Sequence, residues 1–134
     1  MTHHRHTRDA VLHTATGEYS LRVRVADTFL SRLRGLMFAP PLPANEALLL
    51  MRCASVHTGF MRCPVDVLYL EASGVVARCV AGLRPWHLSL GGFMAEARGR
   101  HTLELAEGSI HRFGVRRGDR LEHGLFRGAP GVRR

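Results

Sequence analysis

Between residues 19 and 25, apolar and polar side chains alternate without a break: Tyr19, Leu21, Val23 and Val25 against Ser20, Arg22 and Arg24. Side chains of an extended chain point to opposite faces in turn, so this repeat predicts a half-buried strand with an Arg-bearing solvent face. Most of the remaining sequence is compatible with the same choice. Val11 to Thr14 can pair with the first strand through a turn at Thr16-Gly17. Ala47 to Met51 reads as a short buried strand. Val65 to Leu70 reads as another, ending at a hairpin signal around Ala72-Ser73-Gly74, with Val75 to Val80 returning. His101 to Ala106 alternates again with Leu103 and Leu105 inward, and Arg117-Gly118-Asp119 turns the chain into a last strand at Arg120 to Glu122. Helical spacing appears briefly. Phe29, Leu30, Leu33 and Leu36 follow the N-cap candidate Asp27 and stop at Gly35, and Ser109 to Phe113 forms one turn closed by Gly114. Pro40, Pro41 and Pro43 force an extended loop. Leu83 to Gly99 reads as loop, with Trp86 and Phe93 as anchors. The expected class is mainly β: a compact antiparallel β-barrel or sandwich with one or two short helices.

A chain of 134 residues with 46% apolar composition suits one folded domain. The boundaries read as a flexible tail over 1–10, a single β-rich domain over 11–123 and a flexible tail over 124–134. No apolar run approaches the roughly 20 residues of a membrane helix. Met1 to Asp9 holds no apolar segment of a secretory signal, so the expected compartment is the cytoplasm. Cys53, Cys63 and Cys79 are an odd, unevenly spaced set, read as reduced, with Cys79 a small buried hydrophobe in a strand. The net charge of +8 comes with 19 basic residues that are all Arg. They are scattered over strands, turns and both tails, as codon bias in a GC-rich genome would leave them. That distribution disfavours specific nucleic-acid binding despite the charge.

An ordered set of short motifs stands out: Gly35-Leu36-Met37-Phe38, Ser55-Val56-His57-Thr58, Met61-Arg62-Cys63-Pro64-Val65-Asp66-Val67, then Leu103-Glu104, Gly108 and Gly118-Asp119. In this set the sequence resembles the family known as domain of unknown function 192, in its subgroup with His-Thr and Met-Arg-x-Pro-x-Asp, over roughly Leu21 to Leu121. The resemblance implies a compact, mainly β fold and no particular activity. The chain differs from that subgroup in two places. Gly59-Phe60 stands transposed from the usual Phe-Gly, and Cys63 replaces a large apolar residue.

Chemistry centres on His57, Met61 and Asp66. Asp66 opens an otherwise apolar strand, and a carboxylate there must be hydrogen-bonded or face water. It either accepts bonds from loop N–H groups or an Arg and locks the turn, or shares a pocket with His57 as an acid/base or ligand-orienting group. Cys53, His57, Met61 and Cys63 are soft or borderline ligands, but their spacing matches no standard zinc motif, so no metal and no cofactor is expected. Cys63 beside Arg62 is a weak candidate nucleophile. Arg34 ends the first helix and complements its dipole, or reaches Asp66 or an anionic ligand. Glu104, between Leu103 and Leu105, reads as a solvated strand-face residue or the partner of an Arg. Trp86-His87 is a loop anchor before it is a stacking platform. The sequence contains no phosphate-binding Gly-rich loop with Lys, GxGxxG, HExxH or GxSxG.

The leading expectation is therefore a small soluble non-enzymatic binding or accessory domain. Its candidate groove is lined by His57, Met61 and Asp66, with Arg34 and Glu104 at the edge, and takes a small anionic ligand or a protein partner. The rivals are an enzyme using His57 and Asp66 as acid/base groups, and a basic nucleic-acid-associated protein using its Arg residues and Trp86.

Overall fold

The computed structural model describes residues 7–26, 42–51, 56–57, 64–84, 88–89 and 100–126. The alternating segment forms β2 (Gly17–Ala26), which pairs antiparallel with β1 (Thr7–Thr14) so that Leu12 opposes Tyr19 and Thr14 opposes Gly17. Ala10, Leu12, Leu21 and Val23 point inward and are buried, while Ser20, Arg22 and Arg24 stay exposed. The expected Arg-bearing solvent face is present.

The remaining long strands are β3 (Glu46–Leu50), β5 (Val65–Leu70), β6 (Val76–Leu83) and β8 (His101–Ala106). With β9 (Arg120–Glu122) they complete a seven-stranded sheet in the order β6-β5-β8-β3-β2-β1-β9. Two short strands, β4 (Val56–His57) and β7 (Leu88–Ser89), pair separately. All the pairings in the large sheet are antiparallel except β2 with β3, which runs parallel from Arg22 opposite Glu46 to Ala26 opposite Leu50. A parallel neighbour needs a crossover instead of a tight turn. Residues 27–45 provide it, and the helix expected over Asp27 to Gly35 lies outside the described residues.

The sheet curls until its two edge strands meet at one end. Val75 bridges Arg120, the Val76 N–H donates to the Asp119 carbonyl at 2.7 Å, and the Leu121 N–H donates to the Gly74 carbonyl at 2.9 Å. This junction requires a glycine. Gly74 has φ +94, and a Cβ there would lie 2.5 Å from the Leu121 carbonyl oxygen. The result is a half-barrel. Its interior holds Leu12, Leu21, Val23, Leu49, Leu68, Leu70, Leu103, Leu105 and Leu121.

A single turn of helix, α1 (Ser109–Phe113), packs against this core, with Gly114 at its C-cap as the sequence suggested. Phe113 stacks on Tyr19 at 4.7 Å between ring centres, and its carbonyl accepts from the hydroxyls of Thr14 and Thr16 in the β1–β2 turn. Both expected tails carry folded residues. β1 begins at Thr7, because residues 7–10 pair with 21–24, and Phe126 is 5% exposed, against the rings of His101 and His123.

Candidate functional site

The three central strands β3, β8 and β5 are buried along nearly their whole length. Such strands are covered on both faces, like those of parallel sheets in α/β folds. The inner faces belong to the half-barrel core. The outer faces of β3 and β5 form a second apolar cluster of Leu48, Leu50, Val65, Val67 and Tyr69, edged by Leu42, Val80 and Leu83. The strand between them, β8, turns Thr102 and Glu104 to this outer side, where Glu104 stands between Leu48 and Val67.

Asp66 and Glu104 therefore lie on opposite faces of the sheet. Asp66 pairs with Leu105 and points with it to the inner side. Its Oδ1 accepts from the Gly82 N–H at 2.9 Å and its Oδ2 from the Ile110 N–H at 2.8 Å. Each donor has a local reason to need it. The β5–β6 register shifts between Val65 and Val67, and this irregularity places Gly82 at φ +64, where a bulged strand leaves an N–H outside the ladder. Ile110 lies in the first turn of α1, whose N-cap Gly108 offers no side-chain acceptor. Charge-assisted bonds to backbone N–H are among the stronger hydrogen bonds, so one buried carboxylate fastens β6 and α1 to β5. Acceptance from backbone N–H groups is the first of the two roles open to Asp66 in the sequence, and both oxygens are engaged in it.

Glu104 has no such partners. The sequence presented it as a solvated face residue or the partner of an Arg, and the structure corrects this: Glu104 is 4% exposed. The solvated reading assumed that a polar residue alternating with Leu103 and Leu105 must meet water, but the outer face of these strands is itself covered. Oε1 accepts no hydrogen bond, and no cation among the described residues pairs with it. Burial alone pushes the carboxyl up to about 7.

Of the other groove candidates, His57 has its backbone in β4 opposite Leu88, and its side chain lies outside the described residues, as do Met61 and Arg34. Of the five groove candidates only Asp66 and Glu104 have described side chains, and these two lie on opposite faces of the sheet.

The chain is similar to known proteins over most of its length. Residues 11–123 match the DUF192 family, described as "Uncharacterized ACR, COG1430". The chain belongs to the DUF192 family. A UPF0127 protein of Pyrococcus furiosus is 33% identical over 108 residues, covering 78% of this chain and 89% of that one. A UPF0127 protein of Pyrococcus horikoshii is 32% identical over 103 residues, covering 75% and 85%. Among solved structures, a Novosphingobium aromaticivorans protein of unknown function matches with a TM-score of 0.76 at 21% identity, covering 87% of this chain and 85% of that one. A Sinorhizobium meliloti protein matches with a TM-score of 0.76 at 24% identity, covering 89% and 95%. These two likenesses show the fold.

Elsewhere among the described residues, Cys79 is subdued and His13 is occupied. Cys79 in β6 is half-buried, and burial, followed by the nearby charges of Asp119 and Asp66, pushes its thiol up to about 11, far from a nucleophilic thiolate. Cys53 and Cys63 lie outside the described residues. Among the described residues no three metal-binding side chains converge. His13 spans two exposed carboxylates, with Nδ1 3.3 Å from Glu18 and Nε2 2.8 Å from Glu122, and so stitches β2, β1 and β9 at the surface. The hydrogen bond from His13 holds the Glu122 carboxyl below its usual range. A surface cleft of about 420 Å³ between β1 and β9 mixes both signs of charge, with Asp9, Arg120 and Glu122 in its lining. No described helix is long and apolar enough to cross a membrane.

Proposed function

We propose that this DUF192 chain is a small binding module whose ligand site is the outer face of β3, β8 and β5, centred on Glu104. The observation that carries this reading is the buried Oε1 of Glu104, which has no hydrogen-bond partner between Leu48 and Val67. Leaving a buried acceptor unpaired costs on the order of 1–3 kcal/mol, and a hydrocarbon side chain would remove that cost. A side chain that costs stability where a Leu would serve is the mark of a group retained for use.

An acid/base pair of His57 and Asp66 has less support, because both Asp66 oxygens are committed to backbone donors. His57, Met61 and Arg34 remain proposed contributors to the binding face on the sequence alone. The outer face of the β1–β2 hairpin lends a nucleic-acid role no support. The exposed Arg22 stands opposite the exposed Asp9, so the outer face of the β1–β2 hairpin is mixed in sign and offers no basic stripe. The Sinorhizobium meliloti neighbour carries a transcription-regulator description, but fold likeness alone does not transfer a function. Cytoplasmic residence fits this reading and remains part of the proposal.

The test is a small-molecule fragment screen followed by NMR on the isotope-labelled chain. Shifts clustered at Leu48, Val67, Thr102 and Glu104, and abolished in Glu104→Leu, are expected. Fragments that gather only in the Asp9–Glu122 cleft, or that shift nothing, overturn the assignment.

A further inference from the structure

The two buried carboxyl groups imply different chemistry, and the difference narrows the ligand class. Asp66 gives both of its oxygens to backbone N–H donors. Glu104 is held away from charge: in a chain with 19 Arg residues, none of the described ones is placed against it. Its cross-strand neighbours are Leu48 and Val67, with Leu50, Val65 and Tyr69 on the same face. Among the described residues, the charged groups on this face stand further out, Arg22 among them opposite Glu46. Arg24 lies one strand beyond Leu48, Arg78 lies beyond Tyr69, and Glu46 is two residues along β3. A cationic ligand would bring a second full charge into these surroundings, and desolvating a buried ion pair costs several kcal/mol per ion. A neutral ligand with a carbonyl beside an N–H avoids that cost. Its carbonyl accepts from the protonated carboxyl, and its N–H donates to the Oε1 that has no partner in the structure.

Resting on the binding face proposed above, we infer that the ligand is a small neutral amide-type compound, a lactam, carboxamide or imide, held by a reciprocal pair of hydrogen bonds to the Glu104 carboxyl group, whose buried Oε1 has no partner. The binding step breaks no covalent bond. Where Glu104 is ionised before binding, its carboxylate takes one proton from solvent. Leu48 and Val67 are 2% and 0% exposed, so access requires local opening of the face, which favours a ligand of few heavy atoms.

The experiment titrates the whole chain with 2-pyrrolidinone, and in parallel with pyrrolidine, a cation of the same shape, followed by NMR at pH 6 and pH 8. The expected result is pyrrolidinone binding at the outer face that weakens severalfold from pH 6 to pH 8. Glu104→Gln should keep binding and lose its pH dependence, since a carboxamide presents the same donor and acceptor. Glu104→Leu should abolish it. Pyrrolidine binding that strengthens toward pH 8 and is lost in Glu104→Gln overturns the inference in favour of a cation. If other fragments bind the outer face and pyrrolidinone does not, the ligand class is wrong while the site stands. If no fragment of any class binds there, both fail. Chemical shifts of the β1–β2 hairpin report in each variant that the fold is intact.

Discussion

Asp66 and Glu104 occupy adjacent strands of one sheet, each nearly free of solvent, and they differ in everything that burial makes important. Asp66 faces the half-barrel interior and gives both oxygens to backbone donors that would otherwise be orphaned. Glu104 faces the outer cluster and leaves Oε1 unbonded. A buried polar group stabilises only as far as its partners replace water. By that measure Asp66 belongs to the architecture, whereas Glu104 costs stability and has a use only if something else fills the gap.

Removing the two groups should therefore move stability in opposite directions. Asp66→Ala strands the Gly82 and Ile110 N–H groups, each unsatisfied donor costing about 1–3 kcal/mol. A loss of roughly 2–6 kcal/mol in denaturant unfolding is expected, with β6 and α1 the first elements to lose amide-exchange protection. A loss below about 1 kcal/mol would make Asp66 as dispensable as Glu104 and dissolve the contrast.

The next effect is a pH dependence. The Glu104 carboxyl rises from 4.5 to about 7 on folding. Between those values the folded chain binds more protons than the unfolded one, so this group makes stability fall as pH rises. Below about 4.5 there is no penalty; above about 7 it is complete, and a shift of this size corresponds to about 3 kcal/mol. The measurement is the difference between parent and Glu104→Leu in urea at pH 4.5, 6 and 8, which cancels the other titrating groups. Glu104→Leu should gain on the parent progressively over that range. A gap that stays constant with pH would mean that Glu104 titrates normally and that its environment is wetter than its burial indicates.

The sequence carried the outline of this contrast unevenly. Val65 to Leu70, His101 to Ala106, the helical turn Ser109 to Phe113 and the strand Arg120 to Glu122 are legible in local pattern alone, and each forms over those residues. The family motifs were legible as well, and Asp66 was recognisable as a carboxylate in need of donors. What local pattern does not carry is adjacency across the sheet. Glu104 alternates with Leu103 and Leu105 as a solvent-facing residue would, and only the placement of β8 between β3 and β5 buries it. A signal was available in the unbroken apolar run of Ala47 to Leu50, which needs cover on both faces, so any strand beside it shares that cover. The parallel pairing of β2 with β3 was hidden for the same reason, because it depends on the path of the crossover and not on either strand's own residues.

The smallest effect tests whether the Asp66 clamp works through the bulge or merely near it. Gly82 sits at φ +64, and a Cβ there would meet nothing closer than Glu107 Oε2 at 3.9 Å, so Gly82→Ala adds backbone strain without a clash. Left-handed conformation costs a non-glycine residue roughly 1–2 kcal/mol, and a loss of about 1 kcal/mol is expected. The informative quantity is its coupling to Asp66→Ala in a double-mutant cycle. If the carboxylate holds Gly82 in that conformation, the strand is free to relax once the carboxylate is gone, and the glycine substitution then costs less than it does in the parent. Strict additivity would show that the bulge keeps its shape without the carboxylate, leaving the N-terminus of α1 as the part of the fold that depends on Asp66. The same cycle run between Gly82→Ala and Glu104→Leu should be additive, because Glu104 acts on the other face of the sheet and shares no partner with the bulge.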